Sequence, residues 1–279
     1  MPPKFIKNLS LIIPDDNKNS YNRNNNNEEN IEELESCNNI ITNFFNFETD
    51  YGRKCGSEGC IYFKEGKNIG LKVTKKIKAP IIEDLYNFII KLNDKSNYKN
   101  NLEDFIIIPK NLSKNNKCNM NYKVKSYYSF NYYYNAIDLV SVIKNINKKT
   151  DFYKKEIDKR KNSNRKTVDT DIDNNMRKYK TMIDGFKEQL DFIMKHLNET
   201  YNIYHNDIHP ANLIVVNTEE PIILRDNYGS EKILNTKHKV FLIDFEHLST
   251  SENPNPLQLN SPCNEYFMDR EDCIDYLIK

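Results

Sequence analysis

The chain has no tryptophan and only seven glycines in 279 residues. With its abundant Asn, Lys and Ile, this reads as a bias of coding composition and carries little functional weight. Other absences exclude more. No window approaches eighteen consecutive apolar residues, and MPPKFIKNLSLIIPDDNKN at the N-terminus has only a short apolar patch, so neither a membrane-spanning helix nor a secretory leader is expected. The expectation is an intracellular protein. No charge of one sign dominates: 41 basic against 40 acidic residues leave a formal net charge of +1, which gives no global signal for nucleic-acid binding. The six cysteines, Cys37, Cys55, Cys60, Cys118, Cys263 and Cys273, lack the CxxC spacing of zinc or redox sites and are expected as free, mostly buried thiols. No G-x-S-x-G elbow presents a nucleophilic serine.

What is present suffices for a core, since 38% of residues are hydrophobic despite a mean hydropathy of −0.78. Residues 17–30, NKNSYNRNNNNEEN, lack apolar content and read as a disordered segment within an N-terminal extension, 1–49. Its later part, 30–49, could hold a short amphipathic helix or a strand. Two strand-like runs, 59–66 and 69–76, flank a polar turn and read as a hairpin. Pro80 then opens a segment whose Ile82, Leu85, Phe88, Ile89 and Leu92 recur at helical spacing. Residues 104–110 and 121–130 read as strands and 135–146 as a short helix. Residues 147–173 are charged and read as a solvated insertion. The segment 176–201 places Met182, Phe186, Leu190, Ile193, Met194 and Leu197 on one helical face.

That helix leads into YNIYHNDIHPANLIVVN, 201–217, where His205, Asp207, His209 and Asn212 crowd into eight positions ahead of an apolar strand. His and carboxylate together suit a transition metal, but no third ligand is well placed nearby. Phosphoryl transfer makes larger demands: a base, magnesium ligands, a cationic phosphate anchor and a loop over the phosphates. Each has a candidate in the chain. A magnesium ligand would be Asp244 and the anchor would be Lys72 in GLKV. Gly56 and Gly59 in KCGSEGCIY are residues that would let backbone approach phosphates closely. Asp244 ends the apolar run KVFLID, so a strand would hold it rigidly.

In this order the motifs resemble the protein-kinase-like superfamily. GSEGCIY is similar to the tail of the kinase glycine-rich loop, with Gly56, Gly59 and Ile61 at its second and third glycines and following valine, and Lys54 in place of the first glycine. Lys72 matches the ATP-anchoring lysine, and Glu83 is the best match to its partner glutamate. IYHNDIHPANLIV resembles the catalytic loop, which implies His205 as its structural histidine, Asp207 as the base and Asn212 as a Mg2+ ligand, and LIDFE resembles the metal-binding motif with Asp244 as its aspartate. The resemblance implies an α+β, two-lobed fold. A small β-rich N-lobe and hinge would span 50–134, and a shortened, mainly helical C-lobe 135–279, with polar insertions near 147–173 and 218–238. It implies ATP with Mg2+ or Mn2+ as cofactors, and transfer to serine or threonine hydroxyls of a protein substrate. The likeness is to divergent serine/threonine kinases of large DNA viruses, which would place the protein in host cytoplasm or virion. HND with IDFE is also similar to choline and aminoglycoside-type kinases, so a small-molecule acceptor stays open, as does a pseudokinase acting through a partner. Asn206 stands where protein kinases carry arginine, His209 where they carry lysine, and Glu246 where they carry glycine. No Ala-Pro-Glu-like element follows Asp244, which implies reduced peptide-docking helices. Lys123 and Lys125 among the tyrosines of 122–135 read as a strand and hinge, not as a nucleic-acid surface.

Overall fold

A computed structural model describes residues 31–48, 50–94, 96–162, 170–250, 263 and 269–279. The Asn-rich stretch expected to be disordered lies outside them. Five strands form the first sheet, β1 (Gly52–Cys55), β2 (Gly59–Phe63), β3 (Ile69–Lys75), β4 (Lys117–Met120) and β5 (Lys123–Asn131), in the order β1-β2-β3-β5-β4 with every pair antiparallel. The expected hairpin is β2–β3. Strand alternation sorts the two faces of β3. Leu71 and Val73 pack with Tyr62 against Ile41 and Phe45 of α1 (Cys37–Phe44) and its C-terminus, while Lys72 and Thr74 point the other way, toward the rest of the chain. The segment 30–49 therefore resolves as a helix, capped by the Ser36 hydroxyl.

Helix α2 (Ala79–Asn93) begins with Pro80 in its first turn and buries Ile82, Leu85, Phe88 and Leu92, the stripe that its spacing predicts. The segment 104–110 departs from expectation. It is no ladder strand: a 3-10 turn at Leu102–Asp104 is followed by isolated bridges, Ile106 to Leu242 in parallel and Lys110 to Ser129 antiparallel. Pro109 has no N–H to donate, so the chain leaves one sheet and joins the other. The result is a strap between the two halves.

Residues 135–279 contain three helices, α3 (Leu139–Asn162), α4 (Thr170–Lys195) and α5 (Arg270–Ile278), and seven short strands among the described residues. The half expected to be mainly helical is thus rich in strands as well. Strands β11 (His238–Leu242), β8 (Leu213–Asn217) and β6 (Ile137–Asp138) form one sheet, β7 (Ile203–Tyr204) pairs with β12 (Ser249–Thr250), and β9 (Ile222–Arg225) with β10 (Glu231–Leu234). The expected insertion at 147–173 is largely helical, because α3 runs to Asn162 and α4 starts at Thr170. Lys and Glu favour helix even without an apolar stripe, and Tyr153 stacks on Tyr179 of α4. The 218–238 insertion turns at Asp226–Ser230, as DNYGS suggests, with Gly229 at φ 87°. It is not merely surface, for Ile222, Leu224 and Leu234 enter the main core.

Two α4 residues fix the position of β11. Gly185 lets the helix approach Thr236, where a Cβ would lie 2.8 Å from the Thr236 methyl. Buried Gln189 then completes the edge of β11, donating to the His238 carbonyl at 3.0 Å and accepting from the Val240 N–H at 2.8 Å. A side-chain amide here does the work of a neighbouring strand. It sets the height at which β11 delivers Asp244.

All six cysteines are bridged, Cys37 to Cys118, Cys55 to Cys60 and Cys263 to Cys273, which corrects the expectation of free thiols. CxxC arithmetic detects neighbours in sequence, whereas Cys37 and Cys118 meet across 81 residues through the packing of α1 on β4. No helix among the described residues is long and apolar enough to cross a membrane. Loop closure scales with separation, so Cys37→Ser is expected to cost about 4 kcal/mol and Cys55→Ser about 2 kcal/mol under oxidising conditions. Urea denaturation with and without a dithiol reductant checks this. Equal midpoints for both variants and the unaltered protein would show that the bridges do not form.

Candidate functional site

The site lies at the seam between the first sheet and the β8–β11 sheet, and it is assembled by short turns. After β7, His205 is fully buried. Its Nε2 donates to the Ile243 carbonyl at 2.9 Å and its ring meets Phe245 edge-on at 4.7 Å. Burial holds its pKa down at about 4, so it is a neutral packing residue. Asn206 follows at φ 62°, a left-handed conformation that Asn tolerates better than most residues. Its buried amide donates to the carbonyls of Tyr204 and His247 and to the Ser249 hydroxyl, at 3.2, 2.8 and 2.8 Å. This residue staples the 205–207 loop to the chain after Asp244.

Asp207 comes next, half-exposed. The Asn212 amide donates to both its carbonyl and its Oδ2 at 3.0 Å. His209 Nδ1 caps the 3-10 turn Pro210–Asn212 by accepting from Ala211 N–H, which leaves the proton on Nε2, 3.6 Å from Asp207 Oδ2. Burial pushes the Asp207 carboxyl up, and the bond and charge of His209 outweigh it, so Asp207 stays below the usual carboxylate range. Reciprocally, Asp207 holds the His209 pKa up against its burial. Asp207 is therefore an ionised, oriented acceptor at neutral pH.

Asn212 and Asp244 are joined through the backbone, since Ile243 N–H donates to the Asn212 carbonyl at 3.0 Å. Asp244 itself sits at φ 71° and turns the chain into the 3-10 turn Phe245–His247. Lys72, in the middle of β3, reaches into this turn. Its Nζ lies 2.7 Å from Asp244 Oδ1 and 2.7 Å from Glu246 Oε1. Burial pulls its pKa down, and the charges of Glu246 and Asp244 more than reverse that, so it is a firmly charged ammonium. Lys72, Asp207, Asn212 and Asp244 are thus brought to one place.

Glu83 is not. It is exposed on the first turns of α2, while the carboxylates on Lys72 both come from the Asp244 turn. Spacing located a carboxylate on the right helix but could not show that a residue two positions after Asp244 takes its place. Sequence reasoning passed over Glu246 as a pairing residue. The signal available was an acid where kinases have glycine, facing Thr74 and Tyr128 on the same sheet face as Lys72.

The glycine loop differs in its reasons from expectation. Gly56 N–H donates to the Gly59 carbonyl at 2.9 Å, closing a tight hairpin end whose next pair, Cys55 and Cys60, is bridged. Gly59 is required by β3: a Cβ there would sit 2.3 Å from the Val73 carbonyl. A Cβ on Gly56 would meet open space. Ile61 pairs in register with Lys72. A shallow concavity lined by Ser57, Glu58, Tyr62, Val73, Met120 and Lys125 lies on the α1 side of the sheet, away from Lys72.

Among the described residues no three His, Cys, Asp or Glu side chains gather as a metal site. Mg2+ does not need such a gathering, because it binds through one or two protein oxygens and substrate phosphates. The Asp244 carboxylate and the Asn212 side-chain oxygen are hard donors of that kind, and Lys72 beside them is the cation that phosphates require. The donors present are of the kind that Mg2+ and a phosphate group take.

No family model and no curated protein matches the chain. Among solved structures it is similar to the BubR1 kinase domain, with 18% identity over 74% of this chain and 48% of that one and a TM-score of 0.36. It is also similar to a Toxoplasma gondii specific rhoptry antigen kinase domain, at 14% over 73% and 48% with a TM-score of 0.30. A third crystallised kinase domain gives 16% over 72% and 51%, with a TM-score of 0.38. The chain spans about half the length of these chains.

Two outcomes are expected. Asn206→Ala removes three buried hydrogen bonds and is expected to lower stability by about 2 to 3 kcal/mol in chemical denaturation; a loss below 0.5 kcal/mol would show the staple to be idle. His196 and His205 are both held near a pKa of 4 by burial, below the 6.5 of an unfolded chain. Unfolding therefore takes up protons, and stability falls as pH drops below 6.5. Between pH 7 and pH 5 the loss is about 2 kcal/mol per histidine, and His205→Gln is expected to remove its share of that slope.

Proposed function

We propose that this protein transfers the γ-phosphoryl group of ATP to a serine or threonine hydroxyl of a protein substrate. One observation carries the reading: a charged lysine on a buried strand, an ionised aspartate and an asparagine from one loop, and a second aspartate converge from three separate places in the chain. Metal and nucleotide would supply an electrophilic phosphorus and neutralise its oxygens. The protein's part is positioning. Lys72 would anchor the phosphates, Asn212 and Asp244 would hold Mg2+, and Gly56, Gly59 and Ile61 would border the nucleotide. Asp207 accepts the proton of the acceptor hydroxyl as that oxygen bonds to phosphorus and the bond to the leaving ADP oxygen breaks. Its low pKa suits orientation and late proton acceptance better than early abstraction. His209 Nε2 lies 3.6 Å from Asp207 Oδ2 and adds a full charge there only when protonated, where a lysine would always carry one.

The test is transfer of labelled phosphate from Mg·ATP by the purified chain, offered itself, acidic and basic model proteins, and a pool of small amines and sugars. Label on protein, lost by roughly 100-fold or more in Asp207→Ala, is the expected result. Label confined to a small molecule would move the acceptor class to the choline and aminoglycoside type. Nucleotide binding without transfer would make the protein a partner-binding pseudokinase.

A further inference from the structure

Among the described residues Glu246 is the most deeply buried carboxylate near the seam, and its surroundings are built for it. It is 7% exposed. Its Oε1 accepts from Tyr128 Oη at 2.6 Å and pairs with Lys72 at 2.7 Å, while Oε2 accepts from Thr74 Oγ1 at 2.7 Å. These three donors share one sheet face: Tyr128 is directly opposite Lys72 in the β3–β5 ladder, and Thr74 is two residues along β3. Burial, then the negative charge of Glu246, keeps Tyr128 protonated far above its usual range, so it remains a donor.

We propose that Glu246 is the positioning residue for Lys72, taking the place of a carboxylate on α2; the inference rests on the phosphoryl-transfer reading. Two carboxylates hold the ammonium now, and they are not equivalent. Asp244 is 22% exposed at its side chain and is a hard oxygen donor at the seam, so it is the carboxylate that would hold a magnesium ion. Glu246 is enclosed by two hydroxyls. With Asp244 engaged by metal, Glu246 would keep the lysine compensated and aimed. The left-handed turn at Asp244 makes this possible, because it brings both carboxylates to the same sheet face. Lysine position is thereby tied to the metal-ligand turn and made independent of where α2 lies.

The experiment is Mg·ATP binding by calorimetry on the full chain, with thermal unfolding alongside. Glu246→Gln keeps the shape, with its oxygen accepting from one hydroxyl and its amide donating to the other, and is expected to weaken binding roughly tenfold to a hundredfold, the loss of one charge-assisted contact. Glu83→Gln is expected to bind within about twofold of the unaltered protein. The decisive comparison is in Lys72→Met. If Glu246 acts through the lysine, Glu246→Gln adds less than about threefold there, whereas a purely structural role would cost the same in both backgrounds. Tyr128→Phe, expected to raise KM for ATP several-fold with kcat little changed, carries the test if Glu246→Gln does not fold. Unchanged binding in Glu246→Gln, or loss in Glu83→Gln, overturns the inference alone. No Mg·ATP binding by the unaltered protein overturns the phosphoryl-transfer reading and this inference with it.

Discussion

The buried ammonium of Lys72 is the constraint on which the site depends. A charge removed from water at the centre of a sheet is tolerated only if opposite charge and hydrogen bonds reach it, and removing its partners would leave an uncompensated ion in the interior. Both partners come from one turn 172 residues further on. The first sheet and the second half of the chain are therefore held in register by an ion pair that neither half could satisfy alone. The excess negative charge is spread over the hydroxyls of Thr74 and Tyr128, which gives these two polar side chains of the buried sheet face their partner.

Everything else near the seam fixes the height and direction of that turn. Gln189 completes the edge of β11, the Ile243 N–H ties the strand end to Asn212, and His205 holds the Ile243 carbonyl. The strap at 105–110 binds Leu242 from the other side. Three non-glycine residues close to the site, Asn202, Asn206 and Asp244, take positive φ. Such conformations cost energy and persist where surrounding bonds over-determine them. Here the over-determination is visible in the three bonds of Asn206 and the paired carboxylate of Asp244.

Much of this was legible in the sequence because it depends on local order. Apolar spacing located α2 and the face of α4, the turn residues located two hairpins, and the order of Lys72, Asp207, Asn212 and Asp244 marked residues that the fold brings together. What was not legible depends on long-range contact. The strap read as a strand because its isoleucines are buried from two sides without a ladder. The charged insertion read as coil because its helix lacks a stripe. The disulfide between Cys37 and Cys118 and the choice of Glu246 over Glu83 are decided by which elements pack together, and spacing along the chain does not contain that.

The Cys55–Cys60 bridge makes the end of the first hairpin a small covalent ring. Its Cα atoms are 4.1 Å apart, as in a closely approached antiparallel pair, and the Arg53 guanidinium rests against both sulfurs. Four residues, Gly56 to Gly59, span the ring, so the tip has few shapes available whether or not anything lies beneath it. A flexible flap loses freedom when it settles on a ligand; a ring has already lost it during folding. A ligand seated at this rim would meet a fixed contour. Selectivity there would come from what the contour excludes, and motion during binding would have to come from elsewhere in the molecule.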